Sequence, residues 1–169
     1  MKNEKVSIVF PEGFNIPDSG EIIIDSFHIK EDIIYEITDN LRVIHYRNGD
    51  LIYEARTDEE FKRYGKDKIG CFCRYVKEDD TEKYGFLYNW YAVNDQKGLA
   101  PSGYHIPTDK EFDDIEEGFM KTAVLGGWWS ATEISAASAW NRDMSFSSSS
   151  VGRYLNSKEL GFSVLCVKD

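Results

Sequence analysis

Large and small polar residues alternate along the C-terminal third of the chain, and this two-residue period is its clearest structural signal. Trp140, Arg142, Met144 and Phe146 fall at every second position, with Asn141, Asp143, Ser145 and Ser147 between them. Successive side chains of a strand point to opposite faces, so the run predicts a strand with one buried face and one carrying small polar groups to solvent. The tract is also serine-rich, a composition usual in disordered segments, but the regular spacing of its large residues argues for order. The aromatic pair Trp128-Trp129 precedes it, and Gly161-Phe162-Ser163-Val164-Leu165-Cys166-Val167 closes the chain as a further strand.

Upstream, the pattern changes several times. Short β-like runs at Val6 to Phe10, Glu21 to Asp25, Phe27 to Ile29 and Ile33 to Ile37 are broken by Pro11, Gly13, Pro17, Asp18 and Gly20, as in strands linked by tight loops. Asn48-Gly49 between Val43 to Arg47 and Asp50 to Tyr53 predicts a hairpin whose type I′ turn needs positive φ at both central residues. Thr57 with Glu60 is a capping box opening a short helix to Gly65, and Thr108 with Glu111 is a second one. In the second helix Phe112, Ile115 and Phe119 form the apolar stripe, and Asp109, Asp113, Asp114, Glu116 and Glu117 form an acidic face expected to be solvated. Gly70 to Val76 reads as a strand, Lys77 to Lys83 as a charged loop, and the aromatic run Tyr84 to Val93 as core. Leu99 to Pro107 is a bent connector.

Composition narrows the function. The chain has 169 residues, 41% hydrophobic and 30% charged, with a mean hydropathy of -0.48: one folded domain, or one domain with a small appendage. A formal net charge of -10 opposes nucleic-acid and anionic-membrane partners, which are held mainly by Lys and Arg. No apolar run is long enough to cross a bilayer, so membrane insertion is not expected. The first residues carry too short an apolar run for a signal peptide, which points to cytoplasmic synthesis and leaves virion or cell-surface display open. Cys71, Cys73 and Cys166 are too few for a disulfide framework.

Several strings occurring in order resemble the Fibrobacter succinogenes major paralogous domain, common in gut Bacteroidota. They are Asp39-Asn40-Leu41-Arg42-Val43 with Tyr46-Arg47-Asn48-Gly49-Asp50; Leu87-Tyr88-Asn89-Trp90-Tyr91-Ala92-Val93; Gly98-Leu99-Ala100-Pro101 with Gly103-Tyr104-His105-Ile106-Pro107; Trp128-Trp129-Ser130; and Trp140, Arg142, Arg153 and Gly161-Phe162-Ser163-Val164. The resemblance implies an α+β domain of C-type lectin-like fold over residues 39–169, preceded by an N-terminal β-rich segment at 1–38. The chain departs from the family pattern in its short stretch between Gly118 and Gly126 and in Leu165, where an arginine is usual.

Members of this group are similar to the variable proteins of diversity-generating retroelements, whose lectin-like scaffold holds rewritten side chains on one solvent-facing surface. The positions this implies for ligand binding are Ile134, Ser135, Ala137, Ser138, Asn141, Asp143, Ser145, Ser147, Ser149, Gly152, Tyr154, Leu155 and Asn156. The expected partner is a protein or glycan on another cell or particle, with no cofactor. Trp128, Trp129, Trp140, Met144, Phe146, Phe162 and Val164 are expected in the core over Trp90 and Tyr88, with Arg142 and Arg153 partly buried and paired. A fixed adhesive or structural module is the alternative.

Other chemistry has weaker signals. Trp140-Asn141-Arg142-Asp143 faintly resembles a lectin calcium motif, but no partner motif supplies the six to eight oxygens calcium needs. Cys71-x-Cys73 is not a zinc spacing. Cys73 and Cys166 are either buried thiols or one bridge, and His105 reads as a hydrogen-bonded structural residue. No Gly-x-Ser-x-Gly elbow accompanies the serines. Formylglycine-generating enzymes share the lectin-like architecture, and only that analogy suggests an enzyme.

Overall fold

The computed structural model describes residues 24–30, 33–74, 84–122, 126–144 and 151–169. In chain order the elements are β1 (Ile24–Lys30), β2 (Ile33–Thr38), β3 (Tyr53–Glu54), α1 (Asp58–Lys66), β4 (Cys71–Cys73), β5 (Leu87–Asn89), α2 (Trp90–Val93), β6 (Tyr104–His105), α3 (Asp109–Thr122), β7 (Gly126–Glu133), β8 (Ser138–Met144), β9 (Gly152–Ser157), β10 (Gly161–Phe162) and β11 (Val167–Lys168). The class is mixed α+β. The strands form three sheets, ordered β1-β2-β11-β6, β10-β5-β4-β3 and β7-β8-β9. Among the described residues, no helix is long and apolar enough to cross a membrane. The expected Val6 to Phe10 strand and the Lys77 to Lys83 loop lie outside the described residues.

Local signals explain where both longer helices begin. Thr57 caps α1, its Oγ1 accepting from Glu60 N, while the Glu60 carboxylate accepts from Arg56 N. At α3 the box is reciprocal: Thr108 Oγ1 accepts from Glu111 N, and Glu111 Oε2 accepts from Thr108 N. The Asn48-Gly49 turn differs from the type I′ expectation. Gly49 has φ 91°, but Asn48 is not among the residues with positive φ. Gly49 N donates to Tyr46 O and Tyr46 N to Asp50 O, so one left-handed glycine closes a three-residue loop. Asn48 Oδ1 accepts from Asp50 N, and that bond holds the asparagine outside the left-handed region.

Two apolar clusters hold the elements together. The larger joins Leu41, Tyr46, Ile52, Phe72, Phe86, Tyr88, Trp90, Trp129, Val164 and Cys166 with their neighbours. The smaller lies under α3 and contains Phe112, Ile115, Trp128, Leu165 and Val167. Trp128 and Trp129 are adjacent on β7 and therefore point into different clusters. Each also makes a directed bond: Trp128 Nε1 donates to Asn40 Oδ1 at 2.6 Å and Trp129 Nε1 to Tyr88 O at 2.9 Å. Fully burying one tryptophan removes about 150–250 Å² from water, a gross gain of about 4–6 kcal/mol.

The N-terminal and C-terminal strands meet in one sheet, where Val167 of β11 pairs with Ile37 of β2 and with His105 of β6. The β7-β8-β9 sheet is tied to the rest through Ser163, whose O accepts from Trp129 N and whose N donates to Gly127 O. All three cysteines are free thiols, which resolves the open choice at Cys73 and Cys166 against a bridge.

Candidate functional site

The β8 strand is the middle of its sheet, with β7 antiparallel on one side and β9 antiparallel on the other. Its two faces carry different chemistry. One face presents Trp140 and Arg142 toward α3. Arg142 is 3% exposed and donates through Nη2 to Asp109 O, Asp109 Oδ1 (2.7 Å) and Asp113 Oδ1 (2.8 Å). Arg153, opposite it on β9, reaches the same Asp109 through Nε and Nη2 and lies 3.6 Å from the centre of the Trp140 ring. Both arginines are paired as expected, with Arg142 fully buried and the Arg153 side chain about half exposed. The α3 acidic face is therefore not simply solvated. Asp109 is buried and Asp113 reaches Arg142, because a buried guanidinium requires carboxylate acceptors.

The other face of β8 presents Ala139, Asn141 and Asp143, paired with Asn156, Tyr154 and Gly152 of β9. Asn141, Asp143, Tyr154, Leu155, Asn156 and Phe162 line an open groove of about 350 Å³. Two glycines shape it. A Cβ on Gly127 would meet the Phe162 ring at 2.7 Å, so glycine there lets Phe162 lie against the strand and meet Trp129 edge-on at 4.7 Å. A Cβ on Gly152 would strike the Tyr154 ring, so glycine there lets that ring lie back along β9. Tyr154 is 55% exposed and forms the rim.

The solvent-facing assignment fails for Asn141. It is 1% exposed, and its Oδ1 accepts from Asn156 Nδ2 at 2.7 Å. Alternation separates the two faces of a strand, but a middle strand between a helix and the main core is covered on both. Ala139, on the same face, is also fully buried. Asn141 is thus the groove floor, with its amide satisfied by a neighbour's.

The remaining candidates separate by place. Ile134, Ser135 and Ala137 are exposed in the β7–β8 turn, and Ser138 is partly buried where β8 begins. Ser135 Oγ accepts from Ala137 N and Ser138 N, so this serine also shapes the turn. Gly152 and Asn156 are partly buried, and Leu155 is exposed. Ser145, Ser147 and Ser149, with the side chains of Met144 and Phe146, lie outside the described residues. Trp128, Trp129, Val164, Trp90 and Tyr88 are core, whereas Trp140 and Phe162 are only partly buried: one faces Arg153 and the other the groove.

Lys158 was not legible as a site residue. Its side chain is 4% exposed, 4.3 Å above the Trp90 ring, with Nζ donating to Glu133 at the base of the turn. Nothing in Ser157-Lys158-Glu159 distinguishes it from a surface lysine.

Titratable groups near by serve structure. Burial pushes the Cys71 thiol up to about 12 and the Cys73 thiol up to about 11, so neither is an activated thiolate. Burial alone would lower His105, but its hydrogen bonds to Glu111 and Asp169 and their charges outweigh that and hold its pKa above the ordinary value. Among the described residues, no three His, Cys, Asp or Glu side chains converge as metal ligands would.

A model of the Fibrobacter succinogenes major domain matches residues 35–124, more than half of the chain. The chain belongs to the Fibrobacter succinogenes major domain family. No curated protein and no solved structure matches it. In this Fibrobacter major domain the matched stretch includes Tyr88, Trp90 and Asp109, the residues on which the β7-β8-β9 sheet rests. The groove itself lies beyond the match.

Proposed function

We propose that the protein is a non-enzymatic ligand-recognition module with a C-type lectin-like scaffold, binding a protein or glycan on another cell or particle. The observation that carries this reading is the meeting of Asn141, Asp143, Tyr154, Leu155 and Asn156 with Phe162 in one groove. All but Phe162 belong to the set implied by resemblance to retroelement variable proteins. The exposed turn bearing Ile134, Ser135 and Ala137 supplies a second set of replaceable side chains. Among the described residues, Asp143 is the one carboxylate lining the groove and no nucleophile–base pair stands beside it, which favours binding over catalysis.

On this reading the protein is the variable component of a diversity-generating retroelement. Sequencing the gene from many isolates is expected to show replacements gathered at the groove and turn and caused by changes at adenines. Replacements scattered evenly along the gene would overturn the reading. One observation favours a fixed adhesive or structural module instead: Asn141 and Ser135 both hold internal hydrogen bonds. In such a module, alanine at Asp143 and Tyr154 leaves partner binding unchanged.

A further inference from the structure

We infer that the groove takes a neutral saccharide, held by the Asn156 amide, Asp143 and the Tyr154 ring without a metal ion, with buried Asn141 positioning Asn156. The inference rests on the recognition reading above and names its ligand class. A sugar ring presents hydroxyls that both donate and accept along its edge, and C–H groups on its faces. The groove offers the complement to each. A carboxamide has two donor hydrogens and two acceptor lone pairs, and partly exposed Asn156 spends one donor on buried Asn141 and keeps a donor and its oxygen for a ligand. That bond also fixes the floor amides before any ligand arrives, which lowers the ordering cost of binding.

Asp143 adds a carboxylate acceptor, while Tyr154 and Phe162 place aromatic surface at the rim and wall. About 350 Å³ is at the small end of ligand sites, which run from about 300 to 1,000 Å³. Among the described residues no cation lines the groove, and Arg153 is turned to the opposite face of the sheet by Asp109. With one carboxylate in the lining and a net charge of -10, an anionic sugar is disfavoured. Among the described residues, one carboxylate and two amides also fall short of the six to eight oxygens calcium requires, so the grip is direct.

The test is an array of neutral and sialylated oligosaccharides probed with the full chain, followed by NMR titration with the strongest neutral binder. The expected result is saturable shifts at the Asn141 and Asn156 side-chain amides and along β9, equal with EDTA and with calcium. Tyr154→Ala, checked by an unchanged dispersed spectrum, is expected to weaken binding roughly tenfold, as for loss of one stacked aromatic contact. An array blank for neutral sugars, binding to sialylated sugars alone, loss of binding in EDTA, or full affinity in Tyr154→Ala overturns the inference. If the array is blank while gene replacements still gather at the groove, the saccharide class falls and recognition stands. Evenly scattered replacements together with saturable saccharide binding remove the retroelement reading and leave recognition standing.

Discussion

Asp109 is the residue on which α3 and the β7-β8-β9 sheet meet. Its carboxylate receives both Arg142 and Arg153, and its backbone N–H donates to Thr132 Oγ1. Among the described residues Arg142 Nε has no acceptor, so its buried charge leans on Asp109 and Asp113. Removing one member of a buried pair leaves the other charged and desolvated. Asp109→Asn is expected to cost about 3–5 kcal/mol in urea denaturation. Asp113→Asn, at a carboxylate open to solvent, is expected to cost no more than about 1 kcal/mol. Equal losses at the two positions would show that Asp109 is not the anchor.

At the scale of elements, the β7–β8 turn is held from beneath. Lys158 sits between the Trp90 ring and the Glu133 carboxylate, while Lys158 N donates to Ala137 O. An ion pair with its lysine buried and its carboxylate open to solvent contributes little net stability against an apolar isostere, but it fixes geometry. Lys158→Met is therefore expected to leave the unfolding free energy within about 1.5 kcal/mol. Amide hydrogen exchange at residues 134–138 is expected to quicken in that variant. Unchanged exchange there would mean that the turn orders itself through Ser135 alone. The two longer helices and most strands were legible in the sequence because caps and periods are local signals: Thr57, Thr108 and the Phe112–Ile115 stripe announce themselves within a few residues, whereas α2 read only as core. What covers a face depends on distant packing. For that reason the polar side of β8 read as solvent-facing although Asn141 is buried, and Lys158 read as surface. The groove residues were named through resemblance, but their meeting with Phe162 required the fold.

For the whole molecule, His105 links three distant pieces. From β6 its Nε2 meets Glu111 of α3 at 2.9 Å and its Nδ1 meets Asp169 at 2.8 Å. Its folded pKa is raised, so the stabilisation is complete below about 6.5, the ordinary histidine value, and fades as pH rises through the folded value. Solvent screening keeps the contribution under about 1 kcal/mol. The urea midpoint is expected to fall as pH rises from about 6.5 through the raised folded value. Asp169→Asn should flatten that fall and lower the His105 pKa read by NMR titration. An unaltered titration would place the shift on Glu111 alone. Another link runs through the two neighbouring tryptophans of β7. Since Trp128 belongs to the cluster under α3 and Trp129 to the larger one, a single stretch of backbone is the partition between them. Neither side can open without pulling that partition from the other. The two clusters are therefore expected to share one unfolding transition, with damage on the helix side felt at the Phe162 wall.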